Sequence, residues 1–397
     1  MIAPTDTAAT ERVRRAKVGV TAAFMVHAML FASWTAHIPF VKMQLGLSNA
    51  ALGTALVGAP VGSVCAMMLS RWLLPRWGSH AMVRLTGAGY ALAGIAVSYA
   101  GSVVWLFAML ALWGLFQGGL DVAMNTQGVT VEHAAGRPIM TRLHGMWSVG
   151  GLIGALIGAG AVSVGITLSA QLVILAPLAI IVVGLLGRGL IPDQHTTPVV
   201  DPVKSPRRGI TGVVAVLGAV SFASMLCEGA AADWSANYLT SHLGASAGMA
   251  GLGYAGYTLT MVTMRLCGPI LQTRIPNRTL LPLLALVPVA GMTTALLTSS
   301  PIVGLLGFAS LGIGLALIVP TAFSAAGTAS TEGSNAGPAI AIVAALGWTG
   351  YVTGPPLIGH LADALSLPAA LAVLPALILA IAITIRITQA FGQRQPR

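Results

Sequence analysis

The sequence predicts an all-α polytopic membrane protein of twelve transmembrane helices, built as two six-helix pseudo-repeats. Three observations carry this prediction. The chain of 397 residues is 56% hydrophobic and only 8% charged, with a mean hydropathy of +0.86. Its apolar residues gather into about a dozen blocks long enough to cross the ~30 Å hydrocarbon core of a bilayer. Threaded through the membrane in order, these blocks put nineteen of the twenty Lys and Arg residues on one side. Basic residues in short loops stay on the cytoplasmic side during insertion. Both termini are therefore expected in the cytoplasm of a multi-pass inner or plasma membrane protein.

The spans are expected at residues 18–40, 46–69, 82–100, 103–126, 142–164, 168–190, 211–239, 247–270, 279–298, 301–325, 337–360 and 366–386. Arg12, Arg14, Arg15 and Lys17 precede the first. The apolar stretch that follows, Gly19 to Phe40, is too long for a cleaved signal sequence, so it reads as a retained helix. The even-numbered gaps are basic except the tenth, and the odd-numbered gaps hold only Lys42. Gly101 and Ser102 separate spans three and four, and Ser299 and Ser300 separate spans nine and ten. Gaps this short force antiparallel hairpins and leave no room for a domain outside the bilayer.

The longest break, residues 191–210, carries four prolines with Asp193, Asp201, Lys204, Arg207 and Arg208. It reads as a linker. The expected organisation is a cytoplasmic segment 1–17, a first half 18–190, the linker, a second half 211–386 and a cytoplasmic tail 387–397. The halves echo one another: Trp147 leads to Leu156, Ile157 and Gly158, and Trp348 to Leu357, Ile358 and Gly359, 201 residues later. Parallel repeats of this kind place a site at their interface near the midplane. Gly150, Gly154 and Gly158 share a helical face, a spacing that lets helices approach closely in lipid.

Composition also excludes several functions. The net charge of +10 is spread over separate loops, as the topology rule requires, so no nucleic-acid partner is expected. Cys65, Cys227 and Cys267 all fall in spans without metal or disulfide spacing. None of the three lysines follows a glycine, so there is no phosphate-binding loop and ATP is not expected as a partner. There is no H-E-x-x-H, and Glu132-His133 lacks a second His in register. No cofactor, metal or enzymatic activity is expected.

Ionisable groups inside spans are costly and point to function. Asp121 lies in span four with Asn125 one turn later, and Gly114, Gln117 and Gly118 extend that face. Asp121 either binds a proton or a substrate hydroxyl or amine, or is an internal hydrogen-bonded carboxylate, or lies near the cytoplasmic end and pairs with Arg137 or Arg142. Glu228 lies in span seven after Ser221 and Ser224; Asp233, Trp234 and Asn237 follow. Asp233 and Asn237 share a face that differs from that of Glu228 unless the helix breaks near Gly229. Glu228 is placed deeper than Asp233 and ranks above it for coupling, while Asp233, nearer the outer end, is placed to cap or gate. His144 opens span five and titrates in the right range for a proton relay. It is equally placed to be a rim residue. His27, Trp34 and His37 line one side of span one. With Asn125, Trp147, Asp233, Trp234, Asn237, Trp348 and Tyr351 they form the substrate-binding set. The indoles either stack on a ring-shaped substrate or serve as packing and interface anchors.

Six plus six spans with basic even loops resemble the major facilitator superfamily. The loop from Arg71 to Arg84, with Pro75, Arg76, Trp77 and Gly78, resembles a degenerate form of its short basic motif. The region of Arg265, Arg274 and Arg278 looks like the repeat of that motif. The resemblance implies that these arginines lock a cytoplasmic gate. Three stretches narrow the likeness: Asp121 to Asn125 running on to Glu132, Leu143 to Gly151 around His144 and Trp147, and Glu228 to Leu239 around Asp233 and Trp234. With Trp34 and Ile38-Pro39 they are similar to the MosC-like branch, akin to fucose permeases. His37 stands where that branch carries Arg, so an anion-binding role is not carried over to it.

Fucose-permease-like relatives imply proton symport with an acidic residue in span four, which Asp121 matches. They also imply one in span one, which this chain lacks. The proton-coupling set is therefore Asp121, Glu228 and His144. Span five lacks the Gly-Pro signature of proton-coupled drug exporters. The expectation is a monomeric secondary transporter working by alternating access, with a cavity lined by spans one, four, five, seven and eleven. It would carry a small sugar, polyol or inositol-like amine with protons. The rival readings are a proton antiporter exporting amphiphilic or cationic compounds, and a non-transporting sensor or scaffold.

Overall fold

A computed structural model describes residues 5–137, 139–193, 212–329 and 337–391. In chain order the helices are α1 (Thr5–Thr35), α2 (Ile38–Gln44), α3 (Asn49–Leu56), α4 (Gly58–Trp77), α5 (Ser79–Val97), α6 (Val103–Ala135), α7 (Met140–Ser163) and α8 (Leu168–Leu186). After the linker come α9 (Gly212–Ser241), α10 (Ala247–Arg274), α11 (Asn277–Leu297), α12 (Pro301–Leu315), α13 (Ile318–Ala329), α14 (Gly337–Ala364), α15 (Leu367–Leu371) and α16 (Val373–Ile387). Among the described residues there is no strand, and ten helices are long and apolar enough to cross a membrane. α5, with 19 residues, and α10, with 28, have the length as well, so the described helices are consistent with twelve spans.

The helices differ from the expected spans in several places; α4 runs on to Trp77 and α6 to Ala135, past the expected ends at 69 and 126. α1 starts at Thr5, so much of the expected N-terminal segment is already helical. The first span turns at His37 and restarts as α2 with proline in its first turn, because the proline nitrogen has no proton for an interior helical bond. The second span is interrupted at Val57, the tenth at residues 316–317 and the last at Ala372. Of the linker, Ile191–Asp193 is described, and residues 194–210 lie outside the described residues.

Serine and threonine start the helices that follow the odd-numbered gaps. Ser48 accepts the Ala51 amide and Ser102 the Trp105 amide. Thr167, Ser246, Ser300 and Ser366 cap α8, α10, α12 and α15 in the same way. A hydroxyl satisfies a helix's first free amides without adding a charge. Carboxylates do that work at two even-numbered gaps. Asp193 accepts the Ser79 amide at 2.6 Å and the Ser79 and Thr130 hydroxyls. Glu132 accepts the amides of Ile139 and Met140 at 2.6 and 2.9 Å, which starts α7.

The described residues fall into two compact units, one within 1–47 and 54–197 and the other within 48–53 and 198–397. In the first, α1 packs along α7. A Cβ added at Gly150, Gly154 or Gly158 would run into the carbonyl oxygens of Met25, Met29 and Ser33. In the second, α9 packs along α14, and a Cβ at Gly350 would meet the Phe222 carbonyl. Residues 229–239 of α9 are buried on every face.

Candidate functional site

The first unit gathers two of the expected groups. One turn of α6 separates Asp121 from Asn125, whose Nδ2 donates to the Asp121 carbonyl at 2.8 Å and to its Oδ1 at 3.2 Å. The titratable neighbour of Asp121 is His144, on α7. Arg137 and Arg142 are neighbours of Lys17. A carboxylate and an amide thus bond on one turn, and an imidazole from α7 comes within electrostatic range, which sequence spacing could not place. His144 also packs edge-on against Phe24, with ring centroids 5.3 Å apart.

The second group is aromatic. Trp147 Nε1 donates to His27 Nδ1 at 3.0 Å. In a neutral ring the proton then sits on Nε2, which makes no well-formed bond and lies near the Gln117 carbonyl. His27 stacks on Tyr90, Tyr90 on Trp113, and Trp113 meets Trp34 at an edge. Tyr90 and Trp113 were not on the sequence's candidate set, since a single aromatic in an apolar span carries no pattern. Trp34 is 2% exposed, enclosed by this packing. His37 is equally buried, and its Nε2 meets Gln171 Oε1 at 2.9 Å. Gln171 Nε2 donates in turn to the Ser33 carbonyl. A buried amide in span six was the available signal for Gln171, and it went unread.

In the second unit α9 runs unbroken through Gly229, so Glu228 and Asp233 point to different faces of one regular helix. Tyr257 and Arg265, both on α10, are the polar neighbours of Glu228. Tyr254, Tyr257, Thr258 and Arg265 share one stripe of that helix. That stripe was legible and was missed, because the tyrosines were not weighed with the carboxylates. The part-buried Arg265 also donates to the Ala316 carbonyl at 3.5 Å.

Asp233 is more enclosed than Glu228 by its accessible surface, although it lies nearer a helix end. Beside it Trp234 Nε1, Ser235 Oγ and Asn237 Nδ2 are buried without a hydrogen-bond partner, as are the hydroxyls of Ser221 and Ser224. Buried polar atoms left unpaired are costly, and this helix concentrates them. Trp348 stands edge-on to Tyr351, with centroids 5.7 Å apart, and is half exposed.

The expected gate arginines are dispersed. Arg71 lies over the Trp72 ring, 3.9 Å from its centroid. Arg76 and Arg274 end α4 and α10. Arg84 Nε donates to the His80 carbonyl, and Arg278 Nη2 to the Arg386 carbonyl at 2.8 Å. Among the described residues no group of three or more His, Cys, Asp or Glu is placed to hold a metal.

The chain is 32% identical to an uncharacterized MFS-type transporter of Yersinia pestis over 93% of its length and 95% of that protein's. The chain belongs to the major facilitator superfamily of transporters. The membrane protein MosC of Rhizobium meliloti is 30% identical over 88% of the transporter and 84% of MosC, which places it in the MosC branch. No family model matches the chain. Among solved structures, a mutant of the nucleoside transporter NupG covers 93% of the transporter and 98% of itself, with a TM-score of 0.72 at 14% identity. A D-xylose-proton symporter covers 95% and 99%, with a TM-score of 0.69 at 16% identity. These two share the fold. The transporter is thus a multi-pass membrane protein of a secondary-transport family.

Proposed function

We propose that the transporter works by alternating access as a proton symporter for a small polar solute, of the sugar, polyol or inositol-like amine class. The observation that carries this reading is the pair of part-buried carboxylate clusters. Asp121 sits with Asn125 and His144, and Glu228 with Tyr257 and Arg265. An ionised carboxylate is costly to enclose, and protonation removes that cost. A solute bound only to the protonated form is carried with the proton. Amide, imidazole and phenol groups around the carboxylates suit hydroxyl-rich solutes, which give and accept hydrogen bonds. The fold likeness to a D-xylose-proton symporter supports the class without identifying the solute.

The substrate is sought first by thermal stabilisation of the purified protein against sugars, inositols, amino sugars and lipophilic cations at acidic and alkaline pH. Stabilisation by a polyol, strongest at acidic pH, is expected; stabilisation by lipophilic cations alone overturns the solute class. With the substrate in hand, Asp121→Asn and Glu228→Gln are compared in proteoliposomes. At least one should lose uptake driven by a pH gradient while keeping substrate exchange at equal pH. Proton-driven uptake unchanged in both variants would sink the coupling role.

A further inference from the structure

We infer that the first unit carries a binding site for one anionic phospholipid, set between the start of α1 and the end of α8. An open cleft of about 830 Å³ lies there, and Arg12, Arg14, Arg15 and Arg188 line it with a single carboxylate, Glu11. Four positive charges against one leave a net charge of +3 among these five side chains. Glu11 is fully used: Arg14 Nε and Nη2 donate to its two oxygens at 2.7 and 2.9 Å, and Arg15 Nε donates at 2.8 Å. These bonds hold two guanidinium groups in place while both side chains stay about 70% exposed. Arg12 and Arg188 are exposed and form no ion pair among the described residues.

The apolar part of the same cleft gives the occupant its second half. Val18, Leu185 and Leu186 line it and are themselves exposed. From Leu185 an aliphatic track runs down α8 through Ile181, Leu178 and Ile174, each more than half exposed. Intervals of four, three and four residues keep these side chains on one face. In a membrane protein such a face meets acyl chains. A basic cleft directly above an acyl-chain track matches a phosphodiester joined to fatty acids. It does not match a free anion, which has no use for the track. Guanidinium groups bind phosphate oxygens through paired donors, and basic pockets on the cytoplasmic side of helix bundles recognise anionic head groups. The distribution of basic residues places this end of α1 on that side.

The test uses the delipidated full-length protein in detergent, titrated with phosphatidylglycerol, phosphatidylcholine or inorganic phosphate. Bound lipid is read by native mass spectrometry. Phosphatidylglycerol should bind one copy tightly, and phosphatidylcholine should not. Arg12→Gln/Arg188→Gln should weaken phosphatidylglycerol binding about thirtyfold, equivalent to about 1 kcal/mol for each arginine. Its melting temperature without lipid should not change, because neither side chain forms an ion pair among the described residues. Arg137→Gln, outside the cleft, should leave the affinity intact. Should the double variant not survive purification, Arg188→Gln alone is read in the same way. The proposal is overturned if the cleft variant binds phosphatidylglycerol like the wild type, or if phosphatidylcholine binds equally well. It is also overturned if Arg137→Gln weakens binding as much, or if inorganic phosphate displaces the lipid at equal concentration.

Discussion

Gln171 is a buried amide with both ends engaged, one by the His37 ring and the other by the Ser33 carbonyl. Replacing it by leucine leaves a buried imidazole nitrogen and a carbonyl oxygen without partners. Each unsatisfied group costs about 1–3 kcal/mol, so Gln171→Leu should unfold at distinctly lower temperature in detergent. A melting temperature equal to the wild type would mean that neither bond stabilises the fold. His37 entered the substrate set because it shares a side of span one with His27 and Trp34. Its bond to Gln171 supplies a structural reason for a polar residue there. His27 has a comparable partner in Trp147, yet its other ring nitrogen lacks a well-formed bond.

Helix pairs in this protein are set by glycine where backbones must touch. Along α7, Gly154 lies against the Met29 carbonyl, whereas Gly160 has open space where a Cβ would stand. Gly154→Ala should therefore push α7 from α1 and lower stability by about 1–3 kcal/mol. Gly160→Ala should be neutral or slightly stabilising, since alanine is the better helix former. Comparable melting temperatures for the two variants would refute a close-packed α1–α7 pair. The four-residue spacing of Gly150, Gly154 and Gly158 was visible in the sequence, but which glycines touch backbone and which face open space was not. Spacing defines a face, while contact depends on how each helix is rotated against its neighbour. The carboxylate caps follow the same logic. Asp193 stood in a stretch read as linker, and only the fold brings it 114 positions back along the chain to Ser79.

At the scale of the whole chain, charge and hydropathy predict topology. Single cysteines at Ser299 and Arg137, introduced after replacing Cys65, Cys227 and Cys267, test it directly. Both positions are exposed. A membrane-impermeant maleimide added to intact cells should label Ser299→Cys and spare Arg137→Cys; the reverse pattern would invert the assignment of sides. The internal repeat is also visible at this scale. The 201-residue echo between Trp147 and Trp348 corresponds to one helix pair in each unit, α1 with α7 and α9 with α14. The packing is repeated but the chemistry is not: Trp147 donates to a histidine, while Trp348 stands against Tyr351.

The sequence by itself determined the twelve-span plan, the helix limits to within a few residues at most ends, and the membrane environment. Hydropathy, loop charge and capping hydroxyls are local properties that add along the chain, so they need no knowledge of neighbours. Asp121 with Asn125 was legible for the same reason, being one turn apart on one helix. Tertiary structure alone decided that His144 joins them, that Glu228 meets Tyr257 and Arg265, and that four arginines converge at the start of α1 and the end of α8. Such partnerships join residues far apart in sequence. They depend on the rotation and depth of packed helices, which no single helix encodes.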